Sequence, residues 1–539
     1  MSAETVFEVL DSWGVRHVFS CPGTTEVALL DAAVDHPSPE LVLTTHESIA
    51  VAMADGFARA SGRPGVAYLH THLGLANGLA HLYCATLAAS PVTVLTGLKP
   101  STLAGRKGFT SIPHVADLVR PFCKSVRQAA HPALLGEDLH ATITASVTPP
   151  AGPAWLGIPQ DVLEAPADRH ALRPTPRPRY RPDPSAVAMA AGLLAGARRP
   201  LIVAGDEVAK HDASERLEAL ALRLGAPVFA PPRHDLQFAS LRTGHSHYCG
   251  RLDFDGDAVK RADVVLVAGQ GTFQEFAPRM TPWFPDDVTV VHLSEDAAQL
   301  GRLSPATVPL AGDAGLALAD LLAALADLPG PSGDAYLAEC RAAHLAGAPA
   351  SDPPDGGPGA LGVGAAMAAL ARHVDGGTTV VSDCVTSQTA LLDHLPRHDG
   401  RSLYSTEGGS LGWGVGAALG VRLALPGRRV LAVLGDGVFQ FGLQGLWTAV
   451  RHRLPVTMIV LNNGAYQAVR AGLRRYGRRA LATGVYPLTD ISGPDYAAVA
   501  RGFGATAFTV DSAAALDAAL EESAAATGPV VVDVRLGAA

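Results

Sequence analysis

Gly435-Asp436-Gly437 and, 27 positions after the aspartate, Asn463 within Leu461-Asn462-Asn463-Gly464-Ala465 are the residues best suited to hold a cation. The apolar runs Arg429 to Leu434 and Val456 to Leu461 read as buried strands, so each motif falls where a strand gives way to a turn. In a doubly wound sheet both turns open onto one crevice, which is where such sheets place their ligands. A carboxylate, an amide oxygen and a turn carbonyl meeting there are hard ligands for a cation of magnesium's size. Such a cation needs an anionic partner, and a diphosphate is the natural one. Gly-Asp-Gly by itself is a common loop turn; the second motif gives it meaning.

Two stretches near the start of the chain carry acid and base groups. Thr44-Thr45-His46-Glu47-Ser48 puts a carboxyl at the junction of a short apolar strand and a helix from Ser48 to Ala60. The helix dipole alone favours a carboxylate there, so position does not make Glu47 catalytic. Leu69 to Gly78 carries His70 and His72 at a strand-to-helix junction, with Asn77 downstream. An imidazole so placed can bind a carboxylate and pass a proton near neutral pH.

These residues need a scaffold that gathers distant strand ends. At 539 residues the chain has room for about three domains, and an apolar content of 48% supplies their cores. Strand-like runs alternate with helical patterns: His17 to Ser20, Val66 to Leu69 and Val92 to Thr96 first, then Pro200 to Gly205 and Asp263 to Gly269. Thr378 to Val381, Arg429 to Leu434, Val456 to Leu461 and Val530 to Val532 follow. This order predicts an α/β fold of three domains with Rossmann-like parallel sheets, over residues 1–165, 190–330 and 360–539. The prolines of Arg169 to Pro184 and the stretch Ser351 to Pro358 predict stiff, helix-poor seams. Neither middle strand runs into a full dinucleotide fingerprint, so the middle domain is expected to brace the other two.

A formal charge of -9 gives no electrostatic case for nucleic acid. The six cysteines lie far apart and read mostly as buried thiols of a reducing compartment. No basic stretch leads into a secretory apolar core, and no apolar run reaches the roughly 20 residues that span a bilayer. A cytoplasmic enzyme without a membrane partner is the expectation.

The paired motifs Gly435-Asp436-Gly437 and Asn462-Asn463-Gly464 resemble the diphosphate and metal motif of the thiamine diphosphate-dependent enzymes. The branch is the one holding benzoylformate decarboxylase, pyruvate decarboxylase and acetolactate synthase. The resemblance covers nearly the whole chain and implies the thiamine diphosphate-binding fold, with pyrimidine-binding, central and diphosphate-binding domains in that order. It implies thiamine diphosphate and Mg2+ as cofactors, with Asp436, Asn463 and the Ala465 carbonyl on the metal. Thr386 and Ser387 resemble the hydroxyl segment at the diphosphate, and Gly437 and Val438 add main-chain donors; many branch members have serine where this chain has Val438. Leu411 matches the bulky residue that bends the cofactor, Gly409 offers a carbonyl to its exocyclic amine, and Tyr466 belongs to the same site. Glu47 matches the acid that meets the aminopyrimidine ring, where a protonated carboxyl favours the imino tautomer that removes the reactive proton.

On the same resemblance His70 faces the reacting carbon, while His72 has no counterpart. Thr24 stands where benzoylformate decarboxylase has a serine on the substrate carboxylate, and Asn77, Phe109, Thr110, Ala468 and Val469 line the substrate pocket. Phe276 stands near the place of that enzyme's second histidine, a departure that bears on proton delivery. The implied reaction is nonoxidative decarboxylation of a 2-oxo acid through an enamine to an aldehyde, by a homodimer or homotetramer. The alternatives are a carboligase resembling acetolactate synthase, which passes the enamine to an aldehyde or a second 2-oxo acid, and a catalytically inactive cofactor-binding regulatory or assembly protein.

Overall fold

The computed structural model describes residues 2–167, 174, 177–303, 307–330, 333–350, 361–406 and 408–537. Within them three six-stranded sheets follow one another along the chain, and every pair of neighbouring strands is parallel. The first holds β1 (His17–Cys21), β2 (Glu40–Leu43), β3 (Gly65–His70), β4 (Val92–Leu98), β5 (Ser125–Gln128) and β6 (Ala154–Pro159), in the order β2-β1-β3-β4-β6-β5. The second holds β7 (Pro200–Ala204), β8 (Val228–Ala230), β9 (Tyr248–Arg251), β10 (Val264–Ala268), β11 (Thr289–Ser294) and β12 (Thr307–Ala311), in the order β12-β11-β10-β7-β8-β9. The third holds β13 (Thr378–Asp383), β14 (Leu403–Ser405), β15 (Arg429–Gly435), β16 (Val456–Asn462), β17 (Thr506–Val510) and β18 (Val530–Arg535), in the order β14-β13-β15-β16-β18-β17. The first and third orders are therefore the same, counted from each sheet's own first strand. The middle one is the dinucleotide-binding order.

The inner strands are apolar on both faces because helices cover both sides, as parallel sheets require. All seven residues of β4 and of β16 are buried. The seam read at Arg169 to Pro184 falls partly outside the described residues, and that at Ser351 to Pro358 wholly so. At its far end the first seam stops sooner than its prolines suggest. Pro184 is the first residue of the helix Pro184–Gly196, and the Asp183 carboxylate caps it by accepting the Ser185 and Ala186 N–H groups. A proline at the first helical position gives up an N–H that would have no helical partner anyway.

One contact fixes how the outer domains sit. The helix Glu47–Ser61, which follows β2, packs against the helix Trp413–Ala424, which follows β14. Small residues let the two backbones touch. A Cβ added at Gly56 would stand 2.3 Å from the Ala417 carbonyl oxygen, and one at Gly420 would stand 2.0 Å from that of Met53. Both helices are buried along most of their length, which explains their near-continuous apolar sequences.

Beside this crossing lies a buried ion pair. Arg59 and Asp55 are 2.8 Å apart with both side chains fully buried. The Trp413 indole N–H donates to Asp55 at 2.7 Å, and the Arg59 guanidinium lies 4.6 Å from the centre of the Trp413 ring. Arg59 also donates to the carbonyls of Ser405 and Cys84 and to the side-chain oxygen of Gln237. One guanidinium thus joins all three domains, with its donors satisfied as burial demands.

Candidate functional site

In the third domain Gly435 and Leu461 are register partners on adjacent strands, so Asp436 and Asn463 leave the sheet side by side. Asp436 is 4% exposed, and its carboxylate accepts the N–H of Gly437 and that of Gly464, each at 2.7 Å. Burial raises its pKa, while the backbone N–H groups of Gly437, Gly464, Asn463 and Ala465 pull the other way. The Asn463 side-chain oxygen accepts the Ala465 N–H at 2.9 Å, and the Ala465 carbonyl accepts the Gln467 N–H at 2.8 Å. Residues 464–466 are braced from outside by a bridge to Asp490 and by Tyr466 N–H to Thr489 O. The Tyr466 ring lies over Gly437, where a Cβ would meet it at 2.8 Å.

This donor set suits a hard cation. A buried carboxylate without a side-chain cation among its partners, an amide oxygen and a carbonyl with a spare lone pair stand together at one sheet edge. Among the described residues no group of three or more His, Cys, Asp or Glu side chains is placed to hold a metal. A set with one carboxylate is of another kind, so residues and implied magnesium fit.

The neighbouring strand end holds the residues expected at a diphosphate. Ser387 is buried and Thr386 is exposed, both in a single turn after β13. The Gly437 N–H, which the resemblance assigns to the diphosphate, is engaged by the Asp436 carboxylate. Val438 is buried. Sequence reasoning missed Asp383, the last residue of β13. Its carboxylate accepts the Gly414 N–H at 3.0 Å, and burial pushes its pKa up to about 7. It thereby anchors the start of the helix Trp413–Ala424, immediately after Leu411. Gly412 has φ +94°, a left-handed conformation that glycine alone adopts without strain, and it lets the chain turn from Leu411 into that helix. Gly409 is exposed, and half-buried Leu411 packs against the core shared by the outer domains.

In the first domain Glu47 opens its helix, capped by His46, whose ring nitrogen accepts the Ser48 N–H at 3.2 Å. Asn77 donates its amide to the Glu47 carboxylate at 2.9 Å, and Gly74 leaves room for the same side chain, since a Cβ there would meet it at 3.1 Å. Asn77 thus stands as a partner of the acid. His70, the last residue of β3, lies against a carboxylate the sequence did not single out. Glu26 is 1% exposed and accepts from the Gly23 N–H at 2.6 Å and the Thr25 hydroxyl, and the His70 Nδ1 stands 3.0 Å from it. A Cβ at Gly97 would collide with the same carboxylate at 1.8 Å, so glycine at the end of β4 makes space for Glu26. With Nδ1–H donated to Glu26, the Nε2 of His70 is free to face a ligand. Thr24 is exposed, and the hydroxyl beside His70, at 3.0 Å, belongs to Thr25. Cys21 lies close enough to Glu47 and Glu26 that burial first, and their charges next, push its thiol up to about 11.

His81 links the two halves. Its Nδ1 lies 2.8 Å from the Ser48 carbonyl and its Nε2 3.3 Å from that of Leu411, and burial lowers its pKa. The Glu47 carboxylate meets Asn77 and Gly74 of its own domain.

The remaining pocket residues lie apart. Phe109 is 86% exposed, and Thr110, with φ +52°, lines a cavity of about 700 Å³ beside β4 and β6. Ala468 and Val469 are exposed on the helix Gln467–Tyr476. Phe276 is exposed and stacks on His234, with ring centres 5.8 Å apart. An imidazole therefore stands beside the position where the motif lacks one. Arg233 donates to the His234 ring and reaches the Thr389 hydroxyl at 3.4 Å, two residues beyond Ser387, which sets this pair at the edge of the third domain. Burial, then the Arg233 charge, lowers the His234 pKa.

The middle domain's own crevice, between β7 and β10, is built differently. A cavity of about 330 Å³ there is lined by Asp206, Glu207, Asp235 and Glu295, and burial pushes the first three up to about 6, 7 and 7. A diphosphate entering it would meet carboxyl groups in place of an N–H cradle.

The chain matches three domain models of the thiamine pyrophosphate enzymes: the N-terminal TPP binding domain over residues 2–118, the central domain over 187–321 and the C-terminal TPP binding domain over 383–534. It is 28% identical to benzoylformate decarboxylase of Pseudomonas aeruginosa, over 98% of this chain and 97% of that protein. It is also 28% identical to an acetolactate synthase of Mycobacterium bovis, over 99% and 88%. The crystal structure of benzoylformate decarboxylase from Polynucleobacter necessarius shares the fold with a TM-score of 0.87, covering 100% of this chain and 99% of that one at 24% identity. Three matched domains in family order, and relatives aligned end to end, make this chain an enzyme of the thiamine pyrophosphate family, close to the branch of benzoylformate decarboxylase and acetolactate synthase.

Proposed function

We propose that the enzyme decarboxylates a 2-oxo acid without oxidation and releases an aldehyde. The observation that carries this reading is the Glu26–His70 pair, a carboxylate-oriented imidazole at the end of β3, in the same domain as Glu47. When bound, thiamine diphosphate supplies a carbon nucleophile and an electron sink for the charge left by carbon dioxide. Asp436, Asn463 and the Ala465 carbonyl would hold Mg2+, and Thr386, Ser387 and the Val438 N–H would hold the diphosphate. Leu411, Gly409 and Tyr466 would line the cofactor's seat. Glu47, fixed by Asn77, would hold a proton at the aminopyrimidine. His70 Nε2 receives the substrate carboxylate, with the Thr24 hydroxyl, and later carries a proton to the product carbon. Phe276, Phe109, Thr110, Ala468 and Val469 wall the pocket, and His234 against Phe276 supplies a second imidazole.

Glu47 pairs with Asn77 inside its own domain, and the reading has it face the partner's diphosphate domain within a cytoplasmic homodimer or homotetramer. Carboligation is the second reading. It is favoured by Phe276 standing where the decarboxylase motif has a histidine, which slows protonation and gives a carbonyl acceptor time to react. Protein supplied with thiamine diphosphate and Mg2+, offered single and mixed 2-oxo acids, separates the two. An aldehyde from a single acid is expected, a carbon-carbon bonded product from the mixture supports the second reading, and no carbon dioxide from a broad panel overturns both.

A further inference from the structure

We propose that His81 is a positioning residue that shares one ring proton between the helix of Glu47 and the turn of Leu411, and so couples the activating acid to a wall of the cofactor's seat. The inference rests on the roles given to those two residues above. The helix Thr71–Leu87 meets the start of the Glu47 helix at successive turns. Cβ atoms added at Gly74 and Gly78 would stand 3.1 Å from the Glu47 side chain and 3.0 Å from that of Val51, so the two helices lie close along this face. On it Asn77 donates to the Glu47 carboxylate at 2.9 Å, and one turn further the His81 Nδ1 stands 2.8 Å from the Ser48 carbonyl oxygen. The opposite ring nitrogen, Nε2, stands 3.3 Å from the carbonyl oxygen of Leu411 in the third domain.

Both partners of the ring are acceptors. A neutral imidazole carries one N–H, so it serves one carbonyl and turns a lone pair on the other. The imidazolium would serve both, but the ring is 2% exposed and burial holds its pKa below the ordinary value of 6.5, which leaves one proton near neutral pH. The groups whose charges reach the ring do not reverse this. The Asp55 carboxylate, which favours the cation, is bonded to Arg59 and Trp413, and His46, which opposes it, is bonded to Ser48.

Two preferences then oppose each other. Distance favours Nδ1–H, donated to Ser48. Satisfaction of the carbonyls favours Nε2–H: Ser48 lies inside its helix, whose ladder gives its carbonyl a second donor, whereas His81 is the one donor to the Leu411 carbonyl among the described residues. Passage between the forms removes the proton at Nδ1 and adds one at Nε2, with water as the carrier and no change in net charge. It releases the Ser48 carbonyl and fixes that of Leu411. A two-state element that both regions bias is what energetic coupling requires. In the homodimer read above, Glu47 and Leu411 of one chain serve different cofactors, so a cofactor seated against Leu411 loosens the acid of the other site.

Protein whose histidine rings carry labelled nitrogen reports the tautomer directly by magnetic resonance, and His81→Gln identifies the signal. Near neutral pH the apo enzyme should hold the proton mainly on Nδ1, and thiamine diphosphate with Mg2+ should move a measurable share to Nε2. One unchanged tautomer in both states, or a ring doubly protonated in either, overturns the inference. Calorimetry of cofactor binding gives a second readout. The two sites of the unsubstituted dimer should differ about fivefold in intrinsic affinity, the worth of one neutral hydrogen bond. His81→Gln, whose amide has two N–H groups and makes no choice, should bring the sites to equality with the thermal melt kept, and His81→Leu, which has none, should do the same. Equal sites in the unsubstituted enzyme, or a difference that survives in a folded variant, overturns the coupling. If the ring proton moves on loading while no 2-oxo acid is consumed, the coupling stands and the decarboxylation reading falls.

Discussion

In the first domain the ends of β1, β2, β3 and β4 lead to Glu26, Glu47, His70 and Lys99; in the third, the ends of β13, β14, β15 and β16 lead to Ser387, Leu411, Asp436 and Asn463. The strand order is the same, so equivalent strand ends gather in the same way at each sheet's edge. What differs is the chemistry carried there. The first set is titratable side chains, with Glu26 paired to His70 and Glu47 held by the Asn77 amide. The third is one carboxylate ringed by backbone N–H groups, with an amide and hydroxyls. On the proposed reading, one topology serves proton transfer in one copy and anion-and-metal binding in the other. The middle domain, with a different order, has a crevice lined by carboxyl groups that abuts the first domain, and it contributes Gln237 and His234 at the seams. Fold therefore says where ligands sit, and the residues just past each strand say what they are.

Substitutions in the two outer domains should separate along that line. The largest effect is expected where both depend on one group. Arg59→Ala leaves the buried Asp55 carboxylate without its cation, uncovers the Trp413 ring and releases Gln237 and the Ser405 carbonyl, and should cost about 3–5 kcal/mol of stability in denaturant unfolding. Asp436→Ala should weaken magnesium-dependent cofactor binding by about 100-fold or more while leaving the melt of the apo protein nearly unchanged, measured by cofactor titration. Glu26→Gln should lower kcat about tenfold with cofactor affinity kept, because it loosens His70 and leaves the turn of Asp436 and Asn463 alone, as steady-state kinetics and cofactor titration would show.

The smallest expected effect belongs to the middle domain. Burial pulls the His211 pKa down, but Asp313 at 2.5 Å and Glu295 at 2.9 Å outweigh it and hold the imidazole at about 9. A raised folded pKa stabilises fully below the ordinary value of 6.5, and that contribution is lost as pH rises through about 9. Melting temperature should fall by roughly 3 °C between pH 7 and 10, and His211→Gln should flatten that slope.

The metal turn was legible because its two motifs end strands of unmistakable apolar pattern, and the ends of β15 and β16 fall within a residue of the expected limits. Glu47 and His70 were legible through the family resemblance of their motifs, each at a strand-to-helix junction, since position alone does not mark Glu47 as an acid with a role. Glu26 was not, since its meaning comes from His70, 44 residues away, and from the space left by Gly97; both depend on β1, β3 and β4 lying side by side. Asp55 and Arg59 look in sequence like an ordinary surface pair one helical turn apart, and only the close crossing of two helices rich in small residues buries them. His234 is far in sequence from Phe276, and the stacking that makes it relevant is a tertiary event.

The division of labour is tested most directly by the exchange of the bound cofactor's reactive C–H proton for deuterium in Glu47→Gln, at saturating thiamine diphosphate and Mg2+. Cofactor affinity should stay within about threefold of the unsubstituted enzyme, while the exchange rate should drop by roughly 10²–10⁴, the range of a lost general acid–base group. Unchanged exchange in a variant that binds the cofactor normally would contradict the assignment of Glu47 as the activating acid.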